Sequence, residues 1–463
     1  MITAELSSCL RNLVAGVNTR VPLINGQYVT AVNFDNAATT PPFCAVMEEI
    51  QKFAPWYSSI HRGSGYKSVL SSDLYEQGRD IVKKFVNADP DKDIVIYTKN
   101  TTEAINLLSY KLYDEDRRQV VITTEMEHLS NDLPWRDKFN VEFAAVDSFG
   151  RLLVDDLEAK LRKHDGRVGL VAVTGASNVT GYINPVYHIA RMAHQYGAKI
   201  LVDGAQMVPH CPIDMKCCES EEHIDYLVFS GHKMYAPFGI GVLIGPKDTF
   251  TKGEPMCKGG GAVKLVSREF IDWDDPPYKD EAGTPNVMGV IALTAAIKTL
   301  TDVGMDTIHE YERGLISYAI NGLKSVPGIR LYCCADTREQ RVSLISFELA
   351  GIHHRLLAKI LASEAGIAVR SGLFCAHPYV EKLLNLDTQD LEYYYNNPNK
   401  EFPGLLRASL GLYNNRSEIE GFVQFLNWVA ENKKFLQEKY KHMHDRVQHI
   451  ADFSPRPVQR EVL

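Results

Sequence analysis

Tyr226-Leu227-Val228-Phe229-Ser230-Gly231-His232-Lys233 joins a short apolar run to a small-residue turn that ends in a lysine. Four consecutive apolar residues bounded by Ser-Gly read as a strand buried on both faces. A lysine at the mouth of such a strand is an odd place for a solvated ammonium. Partial desolvation lowers the pKa of an amine, and the neutral amine can form an imine with an aldehyde. Ser230 and His232 beside it can donate hydrogen bonds to a phosphate. Taken alone, a strand-end lysine is an ordinary surface residue, so its meaning depends on what surrounds it.

Working outward, similar runs recur at Ile94–Tyr97, Val120–Ile122, Val168–Val173, Lys199–Val202 and Gly241–Ile244. Helical stretches separate them, one opening near Thr101 and another spanning Pro185 to Gly197 with a glycine stop. Continuous apolar strands alternating with helices specify an α/β fold with a mostly parallel sheet covered on both faces. Beyond about residue 300 helices dominate and strands such as Ser343–Phe347 are well separated. The expected organisation is an N-terminal segment, 1–32, packing with a smaller α+β domain, 300–463, and a large domain over 33–299. The stretch 385–403, rich in Tyr, Asn and Pro, reads as an irregular insertion, either a lid or a plain surface loop. Residues 453–463 read as a disordered tail.

Composition narrows the function classes. A chain of 463 residues exceeds one small core, and 45% apolar with 23% charged residues is ordinary for a globular protein. A net charge of -8 spread along the chain argues against a nucleic-acid surface. The expected setting is cytoplasmic: no run has the length of a membrane span, and Leu6–Val17 lacks the apolar core of a signal peptide. Nine cysteines is an odd number, and the adjacent pairs Cys217-Cys218 and Cys333-Cys334 lack the C-x-x-C spacing of zinc sites, so no metal is expected. His442, His444 and His449 lie among basic residues and read as a solvated helix. Gly259-Gly260-Gly261 lacks the G-K-[ST] ending of a nucleotide loop.

Three further elements sit at strand ends, where α/β sheets bind ligands. Asp203 in Leu201-Val202-Asp203-Gly204-Ala205-Gln206 ends a buried strand, and its carboxylate suits a pyridinium N–H; a helix N-cap is an equal reading. Gln206 could then reach a phenolic oxygen. The turn into Thr101-Thr102-Glu103-Ala104-Ile105-Asn106 offers free N–H groups, a helix dipole and two hydroxyls for a phosphate, or simply a capped helix start. His128 in Glu125-Met126-Glu127-His128 can stack on a flat ring and move protons, or serve as a hydrogen-bonded structural residue. Their convergence on one sheet edge favours the cofactor reading of all four.

These residues resemble the fold-type-I pyridoxal 5'-phosphate (PLP) enzymes, specifically the class V aminotransferase group that contains cysteine desulfurases and selenocysteine lyases. The resemblance runs from about Asn33 to Val423. It is carried also by Asn33–Thr40, His61-Arg62-Gly63, Ser177–Gly181, Gly259–Gly261, Glu281–Asn286, Val369–Gly372 and Leu406–Ser409. It implies the aspartate aminotransferase-like fold, with PLP held covalently by Lys233. Asp203 would pair with the pyridine nitrogen, Gln206 with the ring oxygen and His128 with the ring face. Thr101, Thr102, Ser230 and His232 would form the phosphate site. Thr284 resembles the residue that reaches the phosphate of the neighbouring subunit, implying a homodimer with shared active sites. Arg407, assisted by Asn178, Arg370 and His61, would bind the carboxylate of a small amino-acid substrate.

Cys375, in Arg370-Ser371-Gly372-Leu373-Phe374-Cys375-Ala376-His377-Pro378, resembles the loop cysteine that takes sulfur from PLP-bound cysteine, leaving alanine and an enzyme persulfide for a sulfur-acceptor protein. Arg370 and His377 would raise its thiolate fraction. A small buried hydrophobe is the plain alternative. Leu373-Phe374 stands where related desulfurases often carry two histidines, and Leu129 follows His128 where a second histidine is common. The expected function is a cysteine desulfurase. The alternative is a PLP-dependent C–S lyase, epimerase or aminotransferase-like enzyme acting on another amino acid or sulfur-containing metabolite, with Cys375 not essential.

Overall fold

The computed structural model describes residues 4–113, 119–332 and 340–441. His442, His444, His449, the stretch 453–463 and the Cys333-Cys334 pair lie outside the described residues. The larger of its sheets has seven strands, in the order Asp93–Thr98, Gly241–Pro246, Tyr226–Ser230, Lys199–Asp203, Val168–Thr174, Val120–Thr124, Asn140–Ala144. Gly241–Pro246 runs antiparallel to both neighbours, and the other pairings are parallel. Successive side chains enter opposite cores. Leu227 and Phe229 join Ile200 and Val202 on one face, while Tyr226 and Val228 join Leu201, Leu243 and Ile96 on the other. That two-sided burial is why these strands are apolar throughout. The strand Asn140–Ala144 was not expected from its sequence. It lies at the sheet edge with alternating polar residues and is only partly buried.

A second sheet of four antiparallel strands orders Ile329–Leu331, Leu344–Leu349, Leu405–Ser409 and Arg370–Gly372. The N-terminal chain is stitched to this region. Val32–Asn33 pairs in parallel with Ile367–Ala368, and Ser409 N–H donates to Phe34 O at 2.7 Å. The architecture is thus a large mostly parallel sheet with helices on both faces plus a smaller α+β unit. The stretch read as irregular contains a helix, Thr388–Asn396, closed by a capping box in which Asp387 and Asp390 bind each other's backbone N–H. Phe402, just beyond it, offers its carbonyl to His354 Nε2 at 3.1 Å. Among the described residues no single helix is long and apolar enough to cross a membrane.

Candidate active site

The strand ends deliver their side chains to one cavity of about 350 Å³. Thr101, Thr102, His128, Asn178, Asp203, Gln206, Ser230, His232, Lys233, Arg370, Cys375 and Arg407 all line it, as the C-terminal edge of a parallel sheet predicts. Lys233 closes the short turn Gly231–Lys233 that follows Tyr226–Ser230, and Asp203 is the last residue of the adjacent strand. Lys233 opens onto the cavity, and protein packed around its amine lowers the pKa to about 8, against the opposing charge of Asp203. Asp203 is buried with one oxygen accepting from Ala205 N–H at 3.0 Å; desolvation raises its pKa.

The hydroxyls at the helix start are paired. Ser230 Oγ accepts from Thr101 N–H at 2.9 Å and meets Thr101 Oγ1 at 2.7 Å, while Thr102 Oγ1 meets Ser130 Oγ at 2.6 Å. Asn100 caps that helix, Thr101–Leu112, by accepting from Glu103 N–H. His128 Nδ1 accepts from Ser130 N–H at 3.1 Å, which places its ring proton on Nε2. Burial, reinforced by Lys233 and Arg407, lowers the His128 pKa to about 4 and keeps the ring neutral.

Arg370 and Arg407 are directly opposed on adjacent strands. Asp35 lies between them, 2.9 Å from Arg370 Nη2 and 3.6 Å from Arg407 Nη2. Arg407 is buried, its Nη1 donates to Asn178 O at 2.8 Å, and its Nε has no partner. Burial lowers its pKa to about 10, with Asp35 opposing. The Phe374 ring covers the guanidinium at 5.0 Å.

Cys375 follows Phe374 in an exposed loop, both residues having left-handed φ of 53° and 52°. Such backbone is costly for non-glycine residues and persists where surroundings over-determine it. Two hydrogen bonds do so: Asn178 Nδ2 to Phe374 O at 2.8 Å and Leu129 N–H to Cys375 O at 2.7 Å. Cys375 shares the cavity with the Lys233 amine and the Arg407 guanidinium. Asn178 therefore holds the cysteine loop with its side chain and Arg407 with its carbonyl.

Two expected residues are not brought to this cavity within one chain. His61 and Thr284 share a separate cleft of about 820 Å³ with Arg62, Gly260, Gly261 and Glu281. His61 Nε2 pairs there with Glu76 at 2.9 Å. Conversely, Asp35, Glu127 and Ser130 were not singled out from sequence. Glu127 is buried, next in the chain to His128, and burial raises its pKa to about 8 despite hydrogen bonds from Thr124, Thr174 N–H and Asn131. Its signal was present, a second acid within Glu125-Met126-Glu127-His128, but sequence gives no clue that it faces inward.

The residues present fit PLP. Gln206 donates to Ala37 O at 2.7 Å, leaving its buried Oε1 orphaned at the cavity. Among the described residues Asp203 has no cationic partner at hydrogen-bond distance, and Lys233 presents an amine of lowered pKa in the same cavity. A ring with a protonated nitrogen, a hydroxyl that can donate to Oε1 and an aldehyde satisfies all three, and a phosphate suits the helix start at Thr101. Fold and cavity together define the fold-type-I PLP enzyme architecture.

Comparison with known proteins agrees. The aminotransferase class-V family model matches residues 32–422. A probable cysteine desulfurase from Synechocystis sp. is 37% identical over 425 residues, covering 90% of this chain and 95% of that protein. A cysteine desulfurase from Haloferax volcanii is 35% identical, covering 86% and 89%. Among solved structures, the apo cysteine desulfurase of Thermococcus onnurineus superposes with a TM-score of 0.79 at 30% identity, covering 93% of this chain and 100% of that one. The Escherichia coli cysteine desulfurase CsdA gives 0.75 at 30% identity, covering 92% and 98%. The chain belongs to the class-V aminotransferase family, in the group that includes the cysteine desulfurases.

Proposed function

We propose that this chain is a PLP-dependent cysteine desulfurase that converts L-cysteine to L-alanine and receives the sulfur on Cys375. The observation that carries this reading is the Cys375 loop, pinned over the cavity that holds Lys233 and Arg407. PLP, when bound, supplies an electron sink that labilises bonds at the substrate α- and β-carbons. Lys233 would hold it, Asp203 and Gln206 would grip the ring, His128 would lie against its face, and Thr101, Thr102, Ser230 and His232 would surround the phosphate.

Arg407 presents its guanidinium to the substrate carboxylate, with Arg370 as second cation. Phe374 and the buried position of Arg407 exclude water from that contact. Lys233, as neutral amine near pH 8, accepts the proton from the substrate α-carbon and returns it. His128, neutral with its proton on Nε2, offers a second donor at the ring face. The Cys375 thiolate forms the new S–S bond to the substrate sulfur as the Cβ–S bond breaks. The bond's electron pair stays with carbon and a proton takes the place of sulfur. L-cysteine and one thiol thus give L-alanine and one persulfide, which a thiol on an acceptor protein would clear.

Thr284 and His61 sit together in the second cleft, as they would if a partner subunit in a homodimer used them to complete its own cavity. The deciding experiment compares wild type and Cys375→Ala with L-cysteine, scoring alanine, pyruvate and sulfide. Alanine that vanishes in the variant supports the desulfurase. Pyruvate formed equally by both identifies an eliminating enzyme, with Cys375 a bystander.

A further inference from the structure

Behind the sheet, at the end of the Lys233 strand remote from the cavity, His194, His223 and Asp225 converge. His194 lies in the last turn of the helix Val186–Gln195, and Asp225 immediately precedes Tyr226–Ser230. His194 Nε2 is 2.9 Å from Asp225 Oδ2, and His223 Nε2 is 3.3 Å from Asp225 Oδ1. The opposite ring nitrogens also face oxygens: His194 Nδ1 lies 2.8 Å from Glu221 O and His223 Nδ1 lies 2.9 Å from Ser220 O. The rings stack at 4.3 Å with an interplanar angle of 20°. Asp225 is buried and takes a further hydrogen bond from Ile200 N–H at 2.9 Å.

The donor count does not close with neutral rings. All four imidazole nitrogens face atoms that only accept, and a neutral imidazole has one N–H. If the Nδ1–H groups serve the carbonyls, both Nε2 lone pairs point at one carboxylate. If every nitrogen carries a proton, two cations stack face to face with Asp225 as the one carboxylate in contact with both, Asp93 acting on His223 from further away. A cation between the two Nε2 atoms and Asp225 removes both conflicts. Nδ1–H donation to backbone carbonyls is also the outer-shell arrangement that orients metal-bound histidines.

We propose that His194 Nε2, His223 Nε2 and the Asp225 carboxylate bind one divalent transition-metal ion, zinc by chemistry, with water in the fourth position. Two imidazoles and a carboxylate suit zinc better than the all-oxygen cations. The three ligand atoms lie within 4.8 Å of one another. Tetrahedral zinc with bonds of about 2.1 Å needs them about 3.4 Å apart, so both histidine–Asp225 contacts would lengthen slightly as the ion enters, a small rotameric adjustment. His223 and Asp225 come from the short segment that leads into Tyr226–Ser230. His194 arrives from a helix, so C-x-x-C spacing could not reveal the site. The ion would clamp the helix Val186–Gln195 to the base of the strand that carries Lys233. Arg191 and Lys216 do not neutralise the site, since both pair with Glu222.

The test uses chelator-treated, PLP-loaded protein in which Cys9, Cys217, Cys218 and Cys257 are replaced by Ser and Cys375 by Ala, because accessible thiols are competing ligands. Zinc is titrated calorimetrically and cobalt(II) by difference spectroscopy. The expected result is one ion per chain, a tetrahedral cobalt spectrum without thiolate charge transfer, and a rise in Tm of a few degrees. His223→Gln should weaken binding by at least about 100-fold, beyond the usual loss of an outer-shell partner, with PLP absorbance unchanged. His194→Asn should act likewise; if it fails to fold, His223→Gln in its loop remains informative. No stoichiometric nitrogen/oxygen-bound ion, or parental affinity in His223→Gln, overturns the proposal.

Discussion

Leu129 N–H donates to the carbonyl of Cys375 at 2.7 Å, so the turn that carries His128 and the loop that carries the cysteine are one hydrogen-bonded unit. Asn178 secures the other side of the loop through Phe374 O. The two left-handed residues Phe374 and Cys375 are therefore held by Asn178, which lines the cavity, and by Leu129, which lies between the cavity residues His128 and Ser130. Thiol position and ring position are coupled through backbone, which substitution of side chains at residue 129 does not touch.

Asn178→Ala removes one of the two loop bonds. A net hydrogen bond contributes about 1 kcal/mol, so turnover of L-cysteine should fall roughly fivefold to tenfold. PLP absorbance should be unchanged, because Arg407 donates to the backbone carbonyl of residue 178, which survives. Stopped-flow spectra with alanine quantification separate the two readouts. Loss of PLP binding would show that Asn178 supports the cofactor region instead.

Lys233 sets a pH signature. Its pKa is lowered to about 8 by burial, and only the neutral amine attacks an aldehyde. PLP loading of apoenzyme should therefore accelerate about tenfold per pH unit well below 8 and level off above it. A solvated lysine would keep accelerating toward about 10.4. The folded chain binds fewer protons at this site than the unfolded chain between about pH 8 and the ordinary lysine value. Apoenzyme stability from this group rises with pH across that window and is flat below it. A Lys233→Met comparison isolates the contribution in Tm scans.

The strands were legible because two-sided burial leaves continuous apolar runs, and the cavity residues were legible because motifs sit at the ends of those runs. Asn140–Ala144 was not, since an edge strand with Glu142 half solvated lacks that run. Asp35 belonged to a quoted motif, but its partners come from strands more than 330 positions later. Nothing local marks it as the counter-ion of two arginines. Local signals for the helix Thr388–Asn396 were present, Asp387 with Asp390 three residues on, and were outweighed by Tyr, Asn and Pro content.

Glu281 anchors the segment that presents Thr284. Its carboxylate takes two hydrogen bonds from Arg79 at 2.8 and 2.9 Å, one from Tyr75 at 2.8 Å and one from Tyr97 N–H at 2.7 Å. Breaking a buried pair from one side leaves the other charge uncompensated, at a cost of about 3–5 kcal/mol. Glu281→Ala should lower Tm by several degrees. Glu281→Gln, which keeps an acceptor, should lose less. An unchanged Tm in both would show that Glu76, the other carboxylate on Arg79, is sufficient.

Asp35 competes with the substrate for Arg407. It stands 3.6 Å from the buried guanidinium and 2.9 Å from Arg370, where it partly neutralises both cations before any carboxylate arrives. Asp35→Asn removes that charge while keeping the shape. The uncompensated arginines should then bind the substrate carboxylate more tightly, lowering KM for L-cysteine roughly fivefold, the equivalent of about 1 kcal/mol. The free protein should become less stable, because Arg407 is buried without its counter-ion. Added salt should shrink the KM difference, since Arg370 is half exposed and screened. A KM that rises instead, with kcat preserved, would mean that Asp35 aims the Arg407 fork rather than opposing its ligand.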